Sequence, residues 1–317
     1  MESVKPSVDQ ESIVALLREH FDLPIQDLTP VQGGLVAQTL SFRVSEKEYI
    51  LRFTSSSMDA SYQKEAFIYQ HFASPDIPIP PVFKVGRFGD SYYAIAQKMP
   101  GCGLNFLSQA EYQQALPNII QTLYAIHQVK VHEGHDFGGF DDHGIGVFPS
   151  WKGFIAKINE EERPDGFYGE WHVLFDTTFL ERDLFETVYK QMLRLLEFCP
   201  EERHLVHGGY GYNNILTQEG KVTAVLGWFD AIYGDFVYDI ARIDLWPPYG
   251  IDYAELFHQH YASNGIPLPN YRERLTCYKM YTGLDGLRFF AKTNNRKFYQ
   301  ATCQKLQGLL TTSSLKA

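Results

Sequence analysis

The balance of hydrophobic periodicity shifts near residue 104 of this chain, and the shift limits the folds open to it. Before it, short runs rich in β-branched and aromatic residues around polar turns predominate; after it the apolar positions recur mostly at helical spacing. TPVQGGLVAQTLSFRV and KEYILRFTS read as antiparallel strands around the polar turn SEKE, and PPVFKVGRFGDSYYAIAQKM reads as two more around Gly89-Asp90. Between the pairs, MDASYQKEAFIYQHFA has the period of a helix. Ahead of them, SVDQESIVALLREHF puts Ile13, Leu16, Leu17 and Phe21 on one helical face, with Ser7 and Gln10 spaced as a capping box.

This order describes a small mixed lobe over residues 1–99, and PGCGL at 100–104 reads as the linker that ends it. Residues 105–317 form a larger, mostly helical lobe. There AEYQQALPNIIQTLYAIHQV is amphipathic, and so is DTTFLERDLFETVYKQMLRLLEFC, with Leu184, Val188, Met192 and Leu195 on one stripe. Three further helical signals follow Asp252, and the Gly- and Asp-rich EGHDFGGFDDHGIGVFPSW reads as a long surface loop. The expected class is α+β in two lobes.

A formal net charge of −10 argues against wide contact with nucleic acid or an anionic membrane, either of which needs a basic footprint. A cationic small molecule suits it better. The first residues, MESVKPSVDQESIVALL, lack the basic start and apolar run of a signal peptide, so a cytoplasmic setting is expected. Cys102, Cys199, Cys277 and Cys303 lie far apart without ligand spacing and read as buried, reduced thiols.

Two neighbouring segments concentrate the chemistry. HLVHGGYGYNNILT (204–217) is a short apolar run that ends in glycines, and NILTQEGKVTAVLGW is a hairpin turning at Glu219-Gly220. A loop and two strand ends thus lie side by side, an arrangement suited to holding a phosphate. These stretches, together with YILRF, YQHFASPDIPIPPV, AIYGDFVYDIARI and GLDGL, resemble the aminoglycoside phosphotransferase family and within it the hygromycin B phosphotransferases. The resemblance implies a protein-kinase-like fold: an N-terminal lobe of antiparallel sheet with one main helix, and a helical C-terminal lobe. It also implies ATP and Mg²⁺ as cofactors, and transfer of the γ-phosphate to a hydroxyl of an aminoglycoside or related sugar.

The family's catalytic loop reads His-Gly/Ala-Asp-x-x-x-x-Asn, its Asp taking the hydroxyl proton and its Asn binding magnesium. His207, Gly208 and Asn214 match that pattern, but Gly209 stands where the Asp belongs. The second signature, Ile-Asp-Trp, reads Leu226-Gly227-Trp228, so Gly227 replaces the principal metal carboxylate. The resemblance gives His207 a bracing role and leaves Asp235 and Asp239 to cap and tether the helix that follows them. Asp230, three residues past Gly227, is the nearest acid in the segment that could reach a displaced magnesium.

Arg52 falls where the kinase strand lysine touches the phosphates, and Glu65 where its helix partner lies; by position alone they are also a plain strand arginine and a solvated helix glutamate. Gly33 and Gly34 correspond to the glycine loop, and Gln97 to Met99 to the segment whose backbone pairs with adenine. For the acceptor, Trp246, Tyr249 and Asp285 match the aromatic and acidic positions that would surround a polycationic sugar; a core tryptophan and a helix-face carboxylate are the plainer reading. Three functions remain open at this point: a severely impaired or weak kinase that uses Asp230, a non-catalytic nucleotide- or sugar-binding protein, and a scaffold that binds neither. Oligomeric state leaves no trace in the sequence.

Overall fold

A computed structural model describes residues 6–31, 37–55, 60–131, 134, 136–164 and 166–314. The chain divides into two compact units, one of residues 1–122, 141–145 and 211–229 and the other of 123–140, 146–210 and 230–317.

In the first unit, α1 (Gln10–Arg18) precedes β1 (Ile25–Pro30), β2 (Gln38–Val44) and β3 (Lys47–Ser55), and α2 (Ala60–Phe72) separates these from β4 (Val82–Phe88) and β5 (Ser91–Gln97). The strands form one antiparallel sheet in the order β1-β2-β3-β5-β4. Ile13, Leu16 and Leu17 of α1 pack on Leu40, Phe42, Leu51, Phe53 and Ile95 of the sheet. Each such side chain, fully buried, contributes about 1.5–3 kcal/mol. The helix is capped by Asp9, whose Oδ1 accepts the Ser12 N–H at 2.9 Å, and not by the Ser7–Gln10 pair. Asp9 wins because its carboxylate directly precedes the first helical residue, where unpaired N–H groups point at it.

The expected linker is itself a strand, β6 (Cys102–Gly103), followed by α3 (Gln109–His127). After these come β7 (Phe137–Phe140), β8 (Gly146–Phe148), α4 (Trp151–Ala156), α5 (Leu174–Thr177), α6 (Arg182–Leu196), β9 (His204–Val206), β10 (Ile215–Gln218), β11 (Lys221–Val225), β12 (Ile232–Gly234), α7 (Val237–Leu245), α8 (Tyr253–Ser263), α9 (Tyr271–Lys292) and α10 (Arg296–Ser314). In the first unit β11, β10 and β6 make a three-stranded sheet, with Glu219 (φ 52°) and Gly220 (φ 78°) forming the two-residue turn of the β10–β11 hairpin. Gly101, at φ 104°, has no room for a side chain: a Cβ would lie 2.5 Å from the Thr217 carbonyl.

In the second unit the order β8-β7-β12-β9 gives a four-stranded sheet, so the segment expected to be a surface loop supplies two of its strands. The helical part is organised around α9, against which α6, α7 and α10 pack. On α6 the buried face is Phe185, Val188, Met192 and Leu196, which keeps Val188 and Met192 of the expected stripe and exchanges Leu184 and Leu195 for their neighbours. Cys199, Cys277 and Cys303 are buried thiols, whereas Cys102 is exposed. No helix among the described residues is long and apolar enough to cross a membrane.

Candidate active site

In the first unit, β3 carries Arg52 and α2 carries Glu65. The Arg52 Nη1 donates to Glu65 Oε1 at 3.3 Å and Nη2 donates to Oε2, a two-point pairing that fixes both groups. The carboxylate is 9% exposed, so this is a partly buried pair and not a surface contact. Burial works against the guanidinium charge, but the facing Glu65 outweighs it and raises the Arg52 pKa. The same surroundings push the Tyr62 hydroxyl, over whose ring Arg52 lies at 5.0 Å, up to about 12, chiefly through burial. Arg52 therefore presents a permanent, preorganised positive charge.

At the end of β5, Gln97 donates its N–H to the Pro81 carbonyl at 2.9 Å and Lys98 donates to the Glu48 carbonyl at 3.0 Å. Met99 is half-buried, and among the described residues its backbone N–H and C=O take no partner. The Pro100 carbonyl accepts from Thr223 Oγ1 at 2.6 Å, which ties this segment to β11. Gly33 and Gly34 lie outside the described residues.

Asn214 and Gly227 face one another across the base of the β10–β11 hairpin. Leu226 donates its N–H to the Asn214 carbonyl at 2.7 Å, and Gly227 has φ +75°. The Asn214 amide lies flat over the Gly227 α-carbon: a Cβ there would be 2.7 Å from Oδ1 and 2.8 Å from Cγ and Nδ2. The volume in which a side chain at position 227 would begin is therefore occupied by the Asn214 amide.

The second unit holds the start of the loop that runs from His207. Asp239, fully buried on α7, accepts the His207 N–H on Oδ2 at 2.7 Å and the Gly208 N–H on Oδ1 at 2.8 Å. His127 Nε2 lies 3.1 Å from Oδ2, and His127 Nδ1 lies 2.5 Å from the Tyr261 hydroxyl. Burial, opposed by Asp239, keeps the His127 pKa below its usual 6.5, so the ring is neutral, donates through Nε2 and accepts the tyrosine proton on Nδ1. Asp239 thus anchors the loop backbone itself. The capping role belongs to Asp235, which accepts the Val237 N–H at 3.0 Å and binds Arg274 through Oδ2 at 2.9 Å and Oδ1 at 2.6 Å, with the Tyr278 hydroxyl at 2.7 Å.

His207 is wholly buried, and its Nδ1 accepts the Gly209 N–H at 3.1 Å. Gly208 sits at φ +77°, where a Cβ would run into the Asp230 carbonyl, so the Ala that the family permits here is excluded by this backbone. Asp230 itself is exposed, and its charge, with that of Asp285, helps to hold the Arg242 guanidinium protonated against burial.

The three acceptor candidates are differently placed. Trp246 is half-buried, and the Lys305 ammonium lies 4.7 Å from its ring centroid, so one cation of the chain already faces that ring. Tyr249 is 49% exposed at φ 53°. Asp285, on α9, receives the Tyr168 hydroxyl at 2.9 Å and Arg288 Nη2 at 3.0 Å, both on Oδ1. Tyr238 is buried on α7, and the Asp285 charge bears on it as well.

Magnesium prefers octahedral oxygen ligation anchored by one or two carboxylates. Asn214 supplies one neutral oxygen and Gly227 supplies none, and among the described residues there is no cluster of three His, Cys, Asp or Glu side chains able to hold a metal ion. The residues present do not fit the ion that the resemblance implies.

The antiparallel N-terminal sheet, the helical C-terminal part and the His207–Asn214 loop define a protein-kinase-like phosphotransferase fold. The chain belongs to the phosphotransferase enzyme family APH, whose profile matches residues 27–275. It is 33% identical over 290 residues to hygromycin-B 4-O-kinase of Escherichia coli, covering 89% of this chain and 80% of that protein. A crystal structure of a thermostable mutant of aminoglycoside phosphotransferase APH(4)-Ia, in ternary complex with AMP-PNP and hygromycin B, matches with a TM-score of 0.82 at 27% identity, over 95% of this chain and 99% of the other. At 15% identity, APH(2")-IIia in complex with GDP and kanamycin shares the fold, with a TM-score of 0.65 over 96% of this chain and 99% of that one.

Asp239 and His127 hold the start of this loop; the sequence reading gave Asp239 a helix-tethering role and did not single out His127. Their partners are backbone N–H groups and a tyrosine more than a hundred residues away, and only His127's burial-prone place at the end of an amphipathic helix hinted at them.

Proposed function

We propose that this chain is a nucleotide- and aminoglycoside-binding member of the family that has lost most of its phosphotransfer activity. The observation that carries the reading is the pair of glycines: Gly209 in a loop whose start is held by buried hydrogen bonds, and Gly227 at the base of the β10–β11 hairpin. A hydroxyl approaching position 209 meets no proton acceptor there, and losing a general base lowers a rate by about 10²–10⁴-fold. Retained binding is supported by the Arg52–Glu65 pair and by the unpartnered Met99 backbone, with ATP as the nucleotide. A cationic sugar of the hygromycin B type suits the net charge of −10 and the carboxylates of Asp230 and Asp285. The setting in this reading is the cytoplasm, where ATP is supplied.

The test is the double reversion Gly209→Asp with Gly227→Asp, assayed by mass spectrometry for phosphorylated product against hygromycin B and a panel of aminoglycosides. The revertant should turn over at least about 10²-fold faster than the unaltered chain. Equal rates would overturn the reading. Residual turnover in the unaltered chain that disappears in Asp230→Asn would assign it to Asp230, an exposed residue whose backbone carbonyl and Cβ adjoin Gly208.

A further inference from the structure

We infer that this chain binds its nucleotide without a divalent cation, an inference that rests on the nucleotide-binding reading above. In a kinase-like site the metal has two tasks: it bridges phosphate oxygens to protein carboxylates, and it neutralises the charge that would otherwise set those carboxylates against the phosphates. The principal metal carboxylate is absent here, and so is the proton-accepting carboxylate beside it. With Gly209 and Gly227 in their places, neither signature position contributes a negative charge that a metal would have to screen.

The bridge is lost on the protein side as well. An Asn214 amide laid across the Gly227 α-carbon, with Oδ1, Cγ and Nδ2 at nearly equal distances from the space of a Cβ, has closed over the point from which the second ligand would come. Glycine at 227, with no Cβ, leaves that volume open to the Asn214 amide. Arg52 remains as a cation fixed by Glu65, and an arginine binds phosphate through N–H donors without any metal. By linkage, a metal that leaves nucleotide affinity unchanged gains no affinity for the protein from bound nucleotide.

The experiment is isothermal titration calorimetry of the full chain with AMP-PNP, once in EDTA and once in excess MgCl₂, repeated on Gly227→Asp. For the unaltered chain the affinity in magnesium should be no more than about threefold tighter than in EDTA, and a loss through sequestration of the free nucleotide agrees equally. A larger gain with magnesium overturns the inference and leaves the nucleotide-binding reading standing. Absence of binding in both buffers overturns that reading, and the inference falls with it. Gly227→Asp should acquire magnesium dependence of about tenfold or more, because its carboxylate displaces the amide and restores a bridge. Failure of a folded Gly227→Asp to do so, with fold checked by circular dichroism, contradicts the role given to Gly227; if that variant does not fold, the comparison of buffers on the unaltered chain still decides.

Discussion

Replacing Asp239 by asparagine tests the physical account of the loop that starts at His207 with little change in volume. The carboxylate serves three donors, the N–H groups of His207 and Gly208 and the His127 ring, in surroundings with no solvent access. Asparagine offers one acceptor oxygen. Its better orientation keeps that oxygen for His207 and His127 and turns an NH₂ group against the Gly208 N–H. One charge-assisted bond of about 1.5–3 kcal/mol is lost, and the other two fall to neutral strength, about 0.5–1.5 kcal/mol each. The sum is a destabilisation of about 3.5–6 kcal/mol. An unfolding entropy of about 2.1 cal/mol/K per residue gives a 317-residue chain about 0.7 kcal/mol per degree, so Tm should fall by about 5–9 °C. Scanning calorimetry measures the fall, and hydrogen exchange at the His207 and Gly208 amides locates it. Because the group is buried, the loss should persist at high salt. A shift below about 2 °C, or one abolished by salt, would refute Asp239 as the anchor of the loop.

Other expectations follow from the same geometry. His127 is held neutral below its usual 6.5, so the unfolded chain takes up a proton that the folded one refuses; stability should be full above about pH 6.5 and decline as the pH falls, with His127→Gln giving a flatter Tm profile. Gly208→Ala should destabilise the protein by about 2–5 kcal/mol, from the left-handed backbone and the collision with the Asp230 carbonyl, as read by chemical denaturation. Arg274→Met strands the buried Asp235 carboxylate and should cost about 3–5 kcal/mol by the same measurement. Arg52→Ala should weaken AMP-PNP binding more than Arg52→Lys, because the lysine keeps the charge and loses only the paired geometry; equal losses would show that charge is not what Arg52 supplies.

Much of the fold was legible where turn chemistry and periodicity agree. The β2–β3 and β4–β5 hairpins were marked by their polar and Gly-Asp turns, and the β10–β11 hairpin by Glu219-Gly220. Strand β1 was not, because IQDLTP is an edge strand with mostly polar, half-exposed residues and lacks the alternation of a buried face. β7 was hidden by its own glycines, Gly138 at φ +71° and Gly139, which read as loop although the sheet closes over them. The exchange of Leu184 and Leu195 for Phe185 and Leu196 at the ends of the α6 stripe reflects its packing on α9, a partner that local periodicity does not reveal. At the site, the residue types at 207, 209, 214 and 227 could be aligned from sequence alone. The fold of the Asn214 amide over Gly227 could not, because it depends on the conformation of two segments separated by a hairpin.

The left-handed backbone at Gly227 has a thermodynamic side. A residue with a side chain at φ +75° carries about 1–2 kcal/mol of strain that glycine does not. An aspartate at this turn is therefore a stored load, tolerated where turnover rewards it. Released from that load, the present chain should outlast its own restored-acid counterpart on heating, so that gain of turnover and loss of heat resistance arrive in the same substitution.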